Sequence, residues 1–188
     1  MGNADVKTKT FLDLIGMGDI EQPYSNMLFN VIKDAGVFRG FCIEFDRKGL
    51  FDQNGEFSVF MESSVVEGRS DICAESDRQR VIIVNKLLSC FNGVNKENDP
   101  TQLSKYYKWG KTGKLLEPVC FLVIPDHRLD DVYREIREYD PDMESIYQPV
   151  KYSDVSRFIE IVHNTLPETS EFCDLFSQVM MCFYNRST

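Results

Sequence analysis

Two side chains stand where their types could do chemistry. Lys86 follows the run Val81-Ile82-Ile83-Val84-Asn85, and Asp71 lies in the short β-prone stretch Ser70–Glu75 before it. The polar residues Ser76–Gln79 between the two suit a hairpin turn. Alternate residues of a strand share a face, so Asp71, Cys73 and Glu75 point one way on theirs. Ile82, Val84 and Lys86 share a face on the next. A lysine ending so apolar a run is costly unless it emerges at a site or at solvent. An acid and a lysine on neighbouring strands suit metal-dependent hydrolysis. The acid binds a divalent ion, while the lysine positions or activates water and offsets charge on a phosphate. Taken alone, Asp71 is also an ordinary turn residue and Lys86 an ordinary strand end.

Three further groups bear on that chemistry. Gln102 and Tyr106 are spaced by one helical turn. Glu21 stands at the start of a helical pattern, where its charge also suits the helix N-terminus. Between Asp99 and Glu117 there is no acid, whereas Lys105, Lys108, Lys111 and Lys114 recur three apart with Tyr106, Tyr107 and Trp109 among them. Phosphate contact with base stacking is one use of such a surface, and a solvated helix face with an aromatic anchor is the other. Only His127 and His163 are available for histidine chemistry. Six scattered cysteines without a CxxC pair argue against zinc or a disulfide framework and fit a reducing cytoplasm.

The elements that must position these residues read as one α/β domain over residues 1–188, a central mixed sheet with helices on both faces. Thr10 caps a short first helix. Glu21 and Pro23 open a second, carrying Met27, Leu28, Val31, Ile32 and Ala35, with Gly36 at its end. Val37–Phe45 fits helix or strand. Glu56–Val66 is β-prone, and Arg80–Leu88 is expected at the sheet centre. Asp99 with Pro100 would open a helix to about Gly113. Val119–Ile124 is a buried strand, Arg128–Glu138 a helix and Ser145–Val150 an edge strand. Ser153 would cap a helix bearing Val155, Phe158, Ile159 and Val162. A last helix after Pro167 carries Phe172, Leu175, Phe176, Val179, Met180 and Phe183, a stripe for the core or for a homodimer or protein partner. Hydrophobic residues make up 43% and charged residues 27%, a folded composition. The net charge of -9 argues against a generally basic nucleic-acid binder but not against an enzyme that meets phosphate through metal. No apolar run is long enough to cross a bilayer, so no membrane partner is expected.

Gly68-Arg69-Ser70-Asp71-Ile72 followed by Arg80-Val81-Ile82-Ile83-Val84-Asn85-Lys86 resembles the core of the PD-(D/E)XK nuclease superfamily. Gln102 and Tyr106 match the Gln-x-x-x-Tyr helix of its exonuclease-like branch. Glu21-Gln22-Pro23-Tyr24-Ser25 matches its glutamate-bearing first helix. The resemblance spans about Thr10 to Ile124 and implies a restriction-endonuclease-like core with nucleic acid as substrate, DNA ahead of RNA. It implies Mg²⁺ or Mn²⁺ held by Asp71 and Glu21 with the main-chain carbonyl of Asn85. Lys86 would serve catalysis, and Gln102, Tyr106, Lys105 and Lys108 the substrate. The superfamily's strand acid falls on Val84, which cannot ligate a hard cation. Three accounts stand: a natural inactive relative that binds nucleic acid or a protein, an inactivating substitution, or a replacement acid, with Glu75 and Glu62 nearest in sequence.

Overall fold

The computed structural model describes residues 21–61, 72–86 and 101–165. It is an α/β fold. Helix α1 (Glu21–Ile32) and helix α2 (Ala35–Phe45) precede strand β1 (Ser58–Met61), β2 (Ile72–Glu75) and β3 (Arg80–Asn85). Helix α3 (Gln102–Lys111) leads to β4 (Val119–Ile124). A short 3-10 turn, α4 (Leu129–Tyr139), α5 (Pro141–Glu144), β5 (Tyr147–Lys151) and α6 (Tyr152–Thr165) follow. The five strands lie in sequence order, antiparallel from β1 to β3 and parallel from β3 to β5. Two crossovers advancing the same way must put α3 and α4 on one face, because parallel crossovers share a hand.

The alternation of β3 divides the interior. Val81 and Ile83 enter the core beneath α1, α2 and α6, with Phe41 meeting Phe121 and Phe158 edge-on at 5.6 Å each. Ile82 and Val84 enter the opposite core with Leu103, Tyr106, Val132 and Ile136. Buried Gln79 ties these layers at one end. Its amide donates to the carbonyls of Leu50 and Glu117 at 2.7 and 2.8 Å and accepts from Asp52 N at 2.8 Å. No helix of the described residues is long and apolar enough to cross a membrane.

Several expected boundaries move. The helix begun at Glu21 stops at Ile32, because Asp34 caps a new one by accepting from Gly36 N and Val37 N at 2.9 and 3.1 Å. Gly36 therefore lies in a first turn and ends nothing, and Val37–Phe45 is helix. Thr101 is the N-cap of α3, accepting from Ser104 N at 3.2 Å. Ser153 lies inside α6. Asp126 satisfies that helix start, accepting from Ser153 N at 3.0 Å and from its hydroxyl at 2.6 Å. The helices expected after Thr10 and Pro167 lie outside the described residues.

At the start of β3, Glu75 faces Arg80 across the hairpin. Arg80 reaches it at 3.0 Å and Lys114 at 2.6 Å. The Arg80 guanidinium lies 4.5 Å above Trp109 and donates to the carbonyls of Trp109 and Thr112, at 2.7 Å each. The hydrogen bond from Lys114, then that from Arg80, holds the Glu75 carboxyl below the usual range against the opposing effect of burial. Gly110 lets α3 approach closely. A Cβ there would stand 2.8 Å from Pro118 Cβ and 2.9 Å from Ile82 Cδ1.

Two outcomes follow. Gly110→Val gains slightly in helix propensity but overpacks α3 against the sheet, so urea unfolding should show a loss of about 1–3 kcal/mol. A carboxyl depressed by folding stabilises above its unfolded pKa, and that stability fades as pH falls through the folded value. Glu75→Gln should therefore flatten the acid limb of denaturation midpoints below about pH 4.3.

Candidate functional site

Contacts at Arg80–Trp109 and Gly110–Ile82 set the direction of α3, which runs back along β3. Eight residues of helix from Gly110 to Gln102 cover about 12 Å. Four residues from Ile82 to Lys86 cover about 13 Å of extended chain. Gln102 and Tyr106 are thus carried toward the Lys86 end of β3. Their side chains meet, with Gln102 Nε2 donating to the Tyr106 hydroxyl at 2.5 Å. Tyr106 packs in the same core as Val84.

Val84 is 0% exposed, among hydrocarbon and the Tyr106 ring. Lys86 comes directly after the last residue of β3 and is 4% exposed. Its backbone N–H donates to the Val123 carbonyl at 2.9 Å, which extends the β3–β4 pairing past Asn85. Continued alternation places Lys86 on the face of Val84. The carboxyl ends of β3, β4 and β5 lie together. Asp126 and Lys151 belong to the same edge; the sequence reading passed over both.

The Asn85 side chain turns to the other face. Its amide donates to the Ser25 hydroxyl at 3.2 Å, and its oxygen accepts from the Tyr152 hydroxyl at 2.7 Å. All three residues are buried. The Asn85 side chain is therefore engaged on the face away from Val84. Ser25 carried a signal in the sequence, a hydroxyl between Tyr24 and Leu28 in an otherwise apolar stripe.

Glu21 is the first residue of α1, which packs against β3. Its side chain, Asp71 and Glu62 lie outside the described residues. Asp71 directly precedes β2 in sequence. Glu75 does not replace the acid missing at Val84. It is paired at the opposite end of β3, six residues or about 20 Å from Lys86. Among the described residues no group of three acidic, histidine or cysteine side chains could hold a metal ion.

The lysine stripe is less basic in space than in sequence. Glu117 pairs with Lys111 at 2.9 Å, and Lys114 is engaged by Glu75. The aromatics are also occupied. Tyr106 is buried, Trp109 lies under Arg80, and the Tyr107 hydroxyl donates to Glu117 at 2.9 Å. Tyr107 rises above its ordinary pKa through burial, then through Glu117. Of the two lysines expected at substrate, Lys105 is half-buried and Lys108 exposed. Comparison with protein-family models, with curated proteins and with solved structures returned no match for this chain.

Proposed function

We propose that this chain is a PD-(D/E)XK-type nuclease that hydrolyses DNA phosphodiester bonds with Mg²⁺, with activity weakened by Val84. The observation that supports it best is that Tyr106, hydrogen-bonded by Gln102, packs in the same core as Val84, two residues before Lys86 on the central strand. In chain order, Glu21–Ser25 lie on α1, Ile72 opens β2, Arg80–Asn85 form β3 and Gln102–Tyr106 lie on α3, while Gly68–Asp71 fall outside the described residues.

Asp71, Glu21 and the main-chain carbonyl of Asn85 would hold the ion. Bound there, it would polarise the phosphoryl group and ease deprotonation of water. Lys86 would hold the attacking water or a non-bridging oxygen and stabilise the added negative charge. Water adds to phosphorus as the bond to the leaving sugar oxygen breaks. The proton released by water balances the one that oxygen takes up. Gln102 and Tyr106 would brace the site, and Lys105 and Lys108 would meet the substrate backbone.

A second reading has its own support. Val84 is packed with Leu103 and Tyr106, which leaves hydrocarbon where a carboxylate would ligate. A catalytically inactive module that binds nucleic acid or a protein partner would tolerate that packing.

Val84→Glu separates the two. The chain as written should cleave plasmid DNA weakly or not at all with Mg²⁺. Val84→Glu should raise cleavage about 100-fold or more, a barrier change of about 2.7 kcal/mol. Adding Asp71→Ala should return it to the starting level. A folded but inert Val84→Glu chain would favour the binding module. Strong cleavage by the original chain, lost on Asp71→Ala, would mean that another acid has replaced Val84.

Lys105→Ala with Lys108→Ala tests the substrate surface. Each lost phosphate contact should lower the slope of log K against log salt by about 1. Unchanged binding by the folded double variant would leave α3 as scaffold only.

A further inference from the structure

The hydrogen-bonded trio Ser25–Asn85–Tyr152 is expensive to build. Buried amides and hydroxyls lose water, and each must be met by a partner to recover that cost. Hydrocarbon would fill the same space more cheaply, as it does at Val81 and Ile83 on the same face. The trio sits where three elements converge. Ser25 is on α1, four residues after Glu21. Asn85 is the last residue of β3 and the neighbour of Lys86. Tyr152 is the first residue of α6, and its ring stacks on Tyr24 at 6.4 Å. The amide beyond Asn85 is itself fixed, donating to Val123 O at 2.9 Å.

We infer that Ser25, Asn85 and Tyr152 are positioning residues that lock the first turn of α1 and the end of β3 in one register, and so set Glu21 and Lys86 relative to each other. Apolar packing tolerates small slides, whereas a hydrogen bond falls off steeply with distance and angle. Ser25 and Tyr152 hold the Asn85 side chain from two elements at once. This rests on the nuclease reading for its catalytic consequence, but not for its structural one.

The test uses Tyr152→Phe, Ser25→Ala and the conservative Ser25→Thr, each in the full chain and in Val84→Glu. Hydrogen exchange should show protection in residues 21–28 and 83–86 falling at least about tenfold in Tyr152→Phe and Ser25→Ala, with α4 unchanged. Ser25→Thr should keep it. In the Val84→Glu background, kcat should fall about tenfold with KM within about twofold, and Ser25→Thr should retain kcat. Unchanged protection, or an equal fall in α4, overturns the inference. So does a local fall in protection that leaves kcat intact in an active Val84→Glu chain. If both the chain as written and a folded Val84→Glu are inert, the nuclease reading fails by itself, and the exchange pattern alone decides whether the trio holds Lys86 in place.

Discussion

Burial of β3 on both faces is the constraint from which the rest of the molecule follows. A strand covered on both sides has no solvent face on which to place a polar residue at low cost. Its alternation assigns Val81 and Ile83 to one core and Ile82 and Val84 to the other. Polar groups are then confined to its ends. Arg80 begins the strand with its charge met by Glu75, and Lys86 follows its close. Asn85, the polar residue turned toward the first core, is met by Ser25 and Tyr152. The two ends therefore differ in kind. One is a charge cluster closed upon itself, and the other lies at the carboxyl edge of three parallel strands.

The direction of α3 links this strand to the candidate site. The close approach at Gly110 and the Arg80–Trp109 contact fix its far end. The helix then has little freedom in where it delivers Tyr106 and Gln102. Specificity of placement at the Lys86 end thus depends on packing at the other end, about 12 Å away. The same packing explains why half of the lysine stripe is unavailable. Lys111 and Lys114 lie where Glu117 and Glu75 can reach them.

What was legible in the sequence was what depends on uniform local pattern. The run Val119–Ile124 has no polar interruption and forms β4 with those bounds. Of the expected strand Arg80–Leu88, Arg80–Asn85 forms the central strand around its apolar run Val81–Val84, and Leu87 and Leu88 fall outside the described residues. Features that depend on competition between neighbours were misread. Apolar spacing from Met27 continues smoothly to Ala35, so nothing periodic marks the break that Asp34 makes. Asp99 and Thr101 are both good caps, and the structure uses Thr101 for α3. Features set by distant residues had no local signal. The start of α6 is satisfied by Asp126, 27 positions earlier in the chain. The acids that neutralise the lysine stripe come from Glu75 across the fold and from Glu117 just past the stretch. At the candidate site, the parity of Val84 and Lys86 and the Gln102–Tyr106 spacing were readable. The role of the Asn85 side chain was not, because one amide in an apolar run acquires meaning only when its partners are known.

The central claim is that the end of β3 beside Lys86 is where a divalent ion and phosphate would meet. Paramagnetic broadening by Mn²⁺ in the isotope-labelled chain tests it directly, since the effect falls steeply with distance from the ion. The amide signals of Asn85 and Lys86 and of the first turn of α1 should fade first as Mn²⁺ is added. Fading centred on the acidic first turn of α4, at Asp130 and Asp131, with Lys86 unaffected, would contradict it.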